Sequence, residues 1–260
     1  MTEEELIKES GFTYLESKGG KDVLILLHGL LGALSNFRSI IDEFKSSYNV
    51  VIPMLPIMEM PLKELGIKGL VSYVESFVNY KGYDKVNVLG NSLGGHIAQL
   101  YALKCPDKVN SLILTGSSGL FESAMGKTFP KRGDYEFIKK KSEDTFYDPK
   151  TATKELVDEV YDIVNDRGKG IRIVITAKSA VRNNLSDEIH KINAPTLLVW
   201  GKQDNVTPPF VAEKFHELLP DSQLEFIDKC GHAPMMERPQ EFNDILSSFL
   251  ERVCSSPTVY

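Results

Sequence analysis

Apolar and polar positions follow two rhythms along this chain. Val23-Leu24-Ile25-Leu26-Leu27 is an unbroken apolar run, the pattern of a strand covered on both faces. Phe37, Ile40, Ile41 and Phe44 then follow the spacing of one helical face. The alternation repeats. Strands are predicted at Asn49-Val50-Val51-Ile52-Pro53, Lys85-Val86-Asn87-Val88-Leu89 and Val109-Asn110-Ser111-Leu112-Ile113-Leu114-Thr115. Helical stripes follow the first two of these, through Leu70, Val74, Phe77 and Val78, then Leu93, Ile97, Leu100 and Tyr101. From about Gly116 to Lys191 no buried strand is evident. Leu156, Val157, Val160 and Val164 make one stripe there, and the β-branched run Ile171 to Ile175 fits helix or strand. Strand–helix alternation resumes with Thr196-Leu197-Leu198-Val199-Trp200 and a helix through Val211, Phe215, Leu218 and Leu219. It ends with Gln223-Leu224-Glu225-Phe226-Ile227 and a stripe of Phe242, Ile245, Leu246, Phe249 and Leu250.

This order predicts an α/β fold: a mostly parallel sheet with helices on both faces. A structureless loop of some 70 residues is rare, so the interruption reads as an inserted helical lid. The expected division is 1–117 (core, first part), 118–190 (lid) and 191–260 (core, second part). The tail from Ser255 is expected to fray.

Composition narrows the picture little. The 260 residues fit one large domain, and 30 Lys+Arg against 36 Asp+Glu give a net charge of −6, without the basic footprint of a nucleic-acid binder. Three cysteines are too few for a disulfide framework and match no metal spacing, so no metal is expected. The acidic start, Met1-Thr2-Glu3-Glu4-Glu5, is no signal peptide, and no apolar run approaches a membrane span. A cytoplasmic protein with a small-molecule substrate is expected, with no nucleic-acid or membrane partner. Monomer and homodimer remain equally open.

The chemistry lies in the order of residues. Gly90-Asn91-Ser92-Leu93-Gly94-Gly95 contains G-x-S-x-G between a strand and a helix, the context of a nucleophile elbow. Side chains at Gly90 and Gly94 would collide across so sharp a turn. Ser92 needs a base and a carboxylate that holds the base. Of the five histidines, His232 follows the last strand, at the carboxyl edge of the sheet. His28 is expected to brace a loop, His96 to be a structural helix residue, and His190 and His216 to lie on the surface. Asp204 follows the strand ending at Trp200. The loop after the preceding strand, Gly116-Ser117-Ser118-Gly119, offers no carboxylate. The oxyanion of an acyl-transfer reaction needs two N–H donors. Leu93, after the nucleophile, and Leu30, in His28-Gly29-Leu30-Leu31-Gly32, are the candidates.

These motifs, with Gly201-Lys202-Gln203-Asp204 and Gly231-His232-Ala233-Pro234-Met235-Met236-Glu237-Arg238-Pro239, resemble the lidded α/β-hydrolases over nearly the whole chain. The order Ser92, Asp204, His232 is the order that family uses. A narrower resemblance is to the meta-cleavage product hydrolases, which cut carbon–carbon bonds. It rests on Asn91, on residues 112–120, and on Phe146-Tyr147-Asp148-Pro149 with Glu155-Leu156-Val157. Two features depart from that group. Its oxyanion loop is Gly/Pro-rich where this chain has Leu30-Leu31-Gly32. Its lid arginine for the substrate carboxylate falls at Val160 here, with only Arg167, Arg172 or Arg182 as substitutes.

The expected function is therefore a serine esterase without a cofactor, acting on small-to-medium, largely apolar esters. Its catalytic triad is Ser92, His232 and Asp204, its oxyanion hole Leu30 and Leu93, and its pocket draws on Leu31, Asn91, Phe146, Tyr147 and Met235. A carbon–carbon hydrolase, or a ligand-binding receptor that retains the triad, are the alternatives. Met125-Gly126-Lys127-Thr128 mimics the end of a phosphate loop, but Phe121 stands where that pattern needs glycine.

Overall fold

The computed structural model describes residues 6–32, 34–121 and 132–255. Residues 125–128, part of the expected lid and the tail beyond Ser255 lie outside them. Eight strands form one sheet: β1 (Ile7–Glu9), β2 (Phe12–Glu16), β3 (Val23–Leu27), β4 (Asn49–Pro53), β5 (Val86–Asn91), β6 (Val109–Thr115), β7 (Thr196–Gly201) and β8 (Ser222–Ile227). Their order across the sheet is β1-β2-β4-β3-β5-β6-β7-β8. β3 to β8 run parallel, and only the β1–β2 and β2–β4 pairs are antiparallel.

The continuous apolar strands have the cause inferred from sequence. In β3, Val23, Ile25 and Leu27 face one hydrophobic cluster, and Leu24 and Leu26 face the other. The first cluster is closed by α2 (Ile67–Lys81), α3 (Leu93–Lys104) and α7 (Pro209–Leu218). The second is closed by α1 (Arg38–Phe44) and α9 (Pro239–Ser255). Truncating a fully buried side chain such as Leu26 to alanine costs about 2–5 kcal/mol in sites of this kind.

Between β6 and β7 the chain leaves the sheet for α4 (Tyr135–Glu143), α5 (Lys154–Asn165) and α6 (Arg167–Arg182). The ambiguous run Ile171 to Ile175 is helical, inside α6. Asp166 caps that helix by accepting from Lys169 N, and Ile173, Thr176, Ala177 and Ala180 form its buried face. The β1–β2 hairpin was not foreseen. Its strands are short and half-polar, and its signal is confined to Ser10-Gly11, both in left-handed conformation at the turn (φ 49° and 82°). Among the described residues no helix is long and apolar enough to cross a membrane.

Candidate active site

The carboxyl ends of β3, β5, β6, β7 and β8 bring together the loops singled out by sequence. Ser92 joins β5 to α3 with φ 55° and ψ −119°, a conformation costing a non-glycine residue about 1–3 kcal/mol. Hydrogen bonds hold it there. Ser92 N donates to Thr115 O at 3.2 Å, and the Ser92 carbonyl accepts from Gly95 N, His96 N, Ser118 N and Ser118 Oγ at 3.1–3.3 Å. A Cβ at Gly90 would lie 2.4 Å from the Gly94 backbone, as expected across the turn. Gly94 is required for a different reason. Its Cβ would lie 1.9 Å from Leu27 O and 2.8 Å from His28 O, so it lets the helix close onto the end of β3 rather than onto Gly90.

The loop after β3 passes beside the serine. A Cβ at Gly29 would lie 3.3 Å from Ser92 Cβ, and Gly32 N donates to Gly29 O. Leu30 is half-buried against the core, and Leu31 is exposed. Leu93 is the first residue of α3, so its N–H has no acceptor within the helix. His28 spans the loop: its Nδ1 sits 2.8 Å from Gly29 O, and its Nε2 accepts from Leu55 N at 3.2 Å. That pairing assigns a neutral ring with its proton on Nδ1, and burial holds its pKa below the ordinary value.

On the far side, His232 Nδ1 lies 2.9 Å from Asp204 Oδ2. Asp204 is buried and fully engaged. Its Oδ1 accepts from Val206 N (2.8 Å) and Thr207 N (2.9 Å), and its Oδ2 also accepts from Thr207 Oγ1 (2.8 Å). Trp200, at the core of β7, donates through Nε1 to Thr207 O and so ties this loop to the sheet. Such an array fixes the orientation of the carboxyl group and aims it at one ring nitrogen, which leaves Nε2 for other chemistry.

The His232 loop is held from three directions. Asn91 Nδ2 donates to Thr115 O (3.0 Å) and to His232 O (3.1 Å), which links the neighbour of Ser92 to the neighbouring loop. His232 N donates to Thr145 O. Glu237, in the short α8 (Pro234–Glu237), accepts from Gly231 N at 2.8 Å and Tyr147 N at 2.7 Å. Burial raises the Glu237 pKa, against the opposing pull of these N–H donors.

Among the other expected site residues, Asn91 is buried and bridges two loops through its amide. Phe146 and Met235 pack with Cys230 and Ala233 in the second hydrophobic cluster, while Tyr147 is exposed. His96 is buried on α3 with Nε2 2.8 Å from Asn183 O, and His190 and His216 are on the surface. Burial drives the Cys230 thiol far up, the opposite of a reactive cysteine. Arg172 donates to Met60 O (2.6 Å) and Ile57 O (3.4 Å), and Arg167 and Arg182 are exposed.

Three participants escaped sequence reasoning. Thr207 follows Asp204 by three residues in a loop with no motif of its own, yet its hydroxyl is buried on Asp204. Gly116 has φ +50°, and a Cβ there would lie 2.7 Å from His232 O and 2.8 Å from Nδ1. Its signal was a glycine directly after a buried strand. Ser118, which braces the Ser92 carbonyl, was marked only as one of the residues 112–120 that carry the narrower resemblance, with nothing to indicate its contact.

With this geometry in view, comparison with known proteins is informative. A family model described as alpha/beta hydrolase fold matches residues 22–239. An α/β hydrolase enzyme from the metagenome of lagoon sediments at Mar Chica, Morocco, is 44% identical, over 95% of this chain and 98% of that one, with a TM-score of 0.79. A 2-hydroxy-6-oxononadienedioate/2-hydroxy-6-oxononatrienedioate hydrolase of Paraburkholderia phymatum is 26% identical over 91% of this chain and 90% of its own length. A monoacylglycerol lipase of Bos taurus is 28% identical over 94% of this chain and 80% of its own length. The protein is a hydrolase that belongs to the alpha/beta hydrolase fold family.

Proposed function

We propose that this hydrolase cleaves small-to-medium, largely apolar carboxylic esters through a covalent acyl-enzyme on Ser92. The observation that carries the reading is the strained Ser92, whose neighbour Asn91 is hydrogen-bonded to the loop of a buried His232–Asp204 pair. Asp204 orients His232 through Nδ1, so Nε2 takes the proton as Ser92 Oγ attacks the ester carbonyl. The tetrahedral oxyanion forms against the N–H groups of Leu30 and Leu93, at the positive end of α3. His232 then returns the proton to the departing alkoxide, which leaves as the alcohol. Water repeats the cycle: His232 takes its proton as it attacks the acyl carbonyl, the acyl–Ser92 bond breaks with that proton passing from His232 to Ser92 Oγ, and the carboxylic acid departs. No cofactor enters any step. Residues 118–190 act as a lid between the core segments 1–117 and 191–260, excluding water and setting specificity. Leu31, Asn91, Phe146, Tyr147 and Met235 shape the pocket and its walls. The chain works in the cytoplasm.

A carbon–carbon hydrolase is the second reading, since a named relative acts on an oxo-nonadienedioate. An anionic substrate of that kind calls for a cation at the site. Among the described residues, the lid arginine best placed between elements, Arg172, is spent on the Met60 and Ile57 carbonyls. Val160 occupies the position where the resembling group carries its arginine. The ester reading is therefore preferred. Steady-state rates on a panel of short- and medium-chain esters and a vinylogous diketone acid decide between them. Faster cleavage of the diketone acid than of every ester overturns the preference.

A further inference from the structure

The net charge of −6 conceals a local reversal. α6 carries Arg167, Lys169, Arg172, Lys178 and Arg182 and no acidic residue in its 16 positions. Elsewhere, surface lysines are matched with carboxylates, as in Lys139–Glu143, Lys140–Asp144, Lys154–Asp158 and Lys214–Glu217. Among the described residues, none of the five α6 cations is within ion-pair distance of a carboxylate. Arg167 and Lys169 even occupy the first turn, where the helix dipole disfavours positive charge. Arg172 bonds the Met60 and Ile57 carbonyls and Lys169 lies by the capping Asp166, whereas Arg167, Lys178 and Arg182 make no ion pair among the described residues.

The same surface exposes apolar groups. Arg167, Ile171, Lys178 and Arg182 share one side of α6, and Val174 and Val181 lie between it and the buried side of Ile173, Ala177 and Ala180. Ile171 is 47% exposed and Val181 51%. The adjoining loop extends this surface. Arg172 pins it by donating to the Met60 carbonyl, and Ile67 N donates to Ser179 Oγ at 3.0 Å, an approach that the bare Gly66 permits. The loop presents Leu62, 53% exposed, with Lys63 and Lys68 at the surface; its one carboxylate, Glu64, is also exposed and pairs with Lys63 at 3.7 Å. α6 ends where Asn183 O meets His96, one turn of α3 beyond Ser92.

Exposed cations such as Arg167, Lys178 and Arg182, interleaved with exposed aliphatic side chains, suit an anionic lipid surface. There the headgroup charge attracts Lys and Arg, while apolar tips enter the boundary of the acyl chains. We propose that α6 and the loop at 61–68 dock this protein on anionic membranes, with the lid side of the molecule against the bilayer. The exposed carboxylates of α5, Glu155, Glu159 and Asp162, mark the edge of the footprint, because they are repelled by the same surface. The expectation of no membrane partner rested on the lack of an apolar run long enough to span a bilayer, which surface docking does not require.

Flotation with vesicles tests the proposal on the full chain. The probes are pure phosphatidylcholine vesicles and vesicles in which about a third of the lipid is phosphatidylserine. The wild type is expected to float with the anionic vesicles only, and to be released by added salt. Each cation near the surface contributes about fivefold to partitioning, so Arg167→Gln, Lys178→Gln and Arg182→Gln together are expected to weaken it about a hundredfold. Turnover of a soluble short ester and the circular dichroism spectrum should stay at wild-type values. Ile171→Ser with Val181→Ser should make the remaining binding more salt-sensitive. The proposal is overturned if the wild type ignores anionic vesicles or binds neutral ones equally. It is also overturned if the triple variant floats as the wild type does, or if duplex DNA is bound in place of vesicles.

Discussion

A methyl group added at position 116 intrudes between the end of β6 and the proposed catalytic base. The Cβ of Gly116→Ala would lie 2.8 Å from His232 Nδ1 and 3.0 Å from Cε1, where ordinary contact begins near 3.4 Å. The imidazole must retreat by about 0.6 Å, and a misplacement of about 1 Å at a catalytic group costs about 100-fold in rate. Scaled to the smaller shift, kcat should fall about 15-fold. The left-handed backbone adds about 1–2 kcal/mol of destabilisation, which by itself leaves the chemistry alone. Gly82 provides the control. It has φ +66° at the end of α2, and a Cβ there meets nothing within 4 Å. Gly82→Ala should lose comparable stability in urea melts and keep its kcat on a chromogenic short-chain ester. Equal kcat for Gly116→Ala and wild type, or an equal loss in both variants, would refute the reasoning.

Three further outcomes are expected. Thr207→Val removes one of four hydrogen bonds on Asp204 and should lower kcat about tenfold, with an unfolding cost of about 1–2 kcal/mol; wild-type kcat would deny the hydroxyl its part in holding the acid. His96 is depressed by burial from 6.5 to about 4, so the unfolded chain takes up its proton first as the solution becomes acidic. Stability from this group is complete above pH 6.5 and lost as pH falls toward 4, by about 3 kcal/mol at about 1.4 kcal/mol per pH unit. Urea midpoints across that range should show the decline, and His96→Gln should flatten it. Ser118→Ala removes one brace on the Ser92 carbonyl and leaves the Ser118 N–H bond in place, so a modest loss of about 1 kcal/mol in stability is expected from urea melts.

The boundary between what sequence disclosed and what it hid follows the range of the interactions. Val23-Leu24-Ile25-Leu26-Leu27 announces a doubly covered strand because every residue meets a helix layer, and G-x-S-x-G announces its turn because the steric demand is local. Asp204 and His232 were legible because each follows a recognisable strand end. Gly116 was opaque because its constraint comes from His232, more than a hundred residues away. Asn91 stood out as the neighbour of the nucleophile, but its amide's bonds to the Thr115 and His232 carbonyls appear only in the folded chain. Gly90 faces Gly94 as expected, but a side chain on Gly94 itself would strike the end of β3, a contact that the turn's own sequence does not announce. The β1–β2 hairpin stayed hidden because its half-polar strands add an antiparallel edge rather than a buried core.

Trapping the acyl-enzyme tests the central claim most directly. A chromogenic ester is mixed with excess enzyme, quenched in acid during the first turnover, and the intact protein and its peptides are weighed. The expected result is one acyl group, located on the peptide containing Ser92, with Ser92→Ala showing neither the adduct nor more than a trace of the turnover. An active Ser92→Ala enzyme, or an adduct on any other residue, would contradict it.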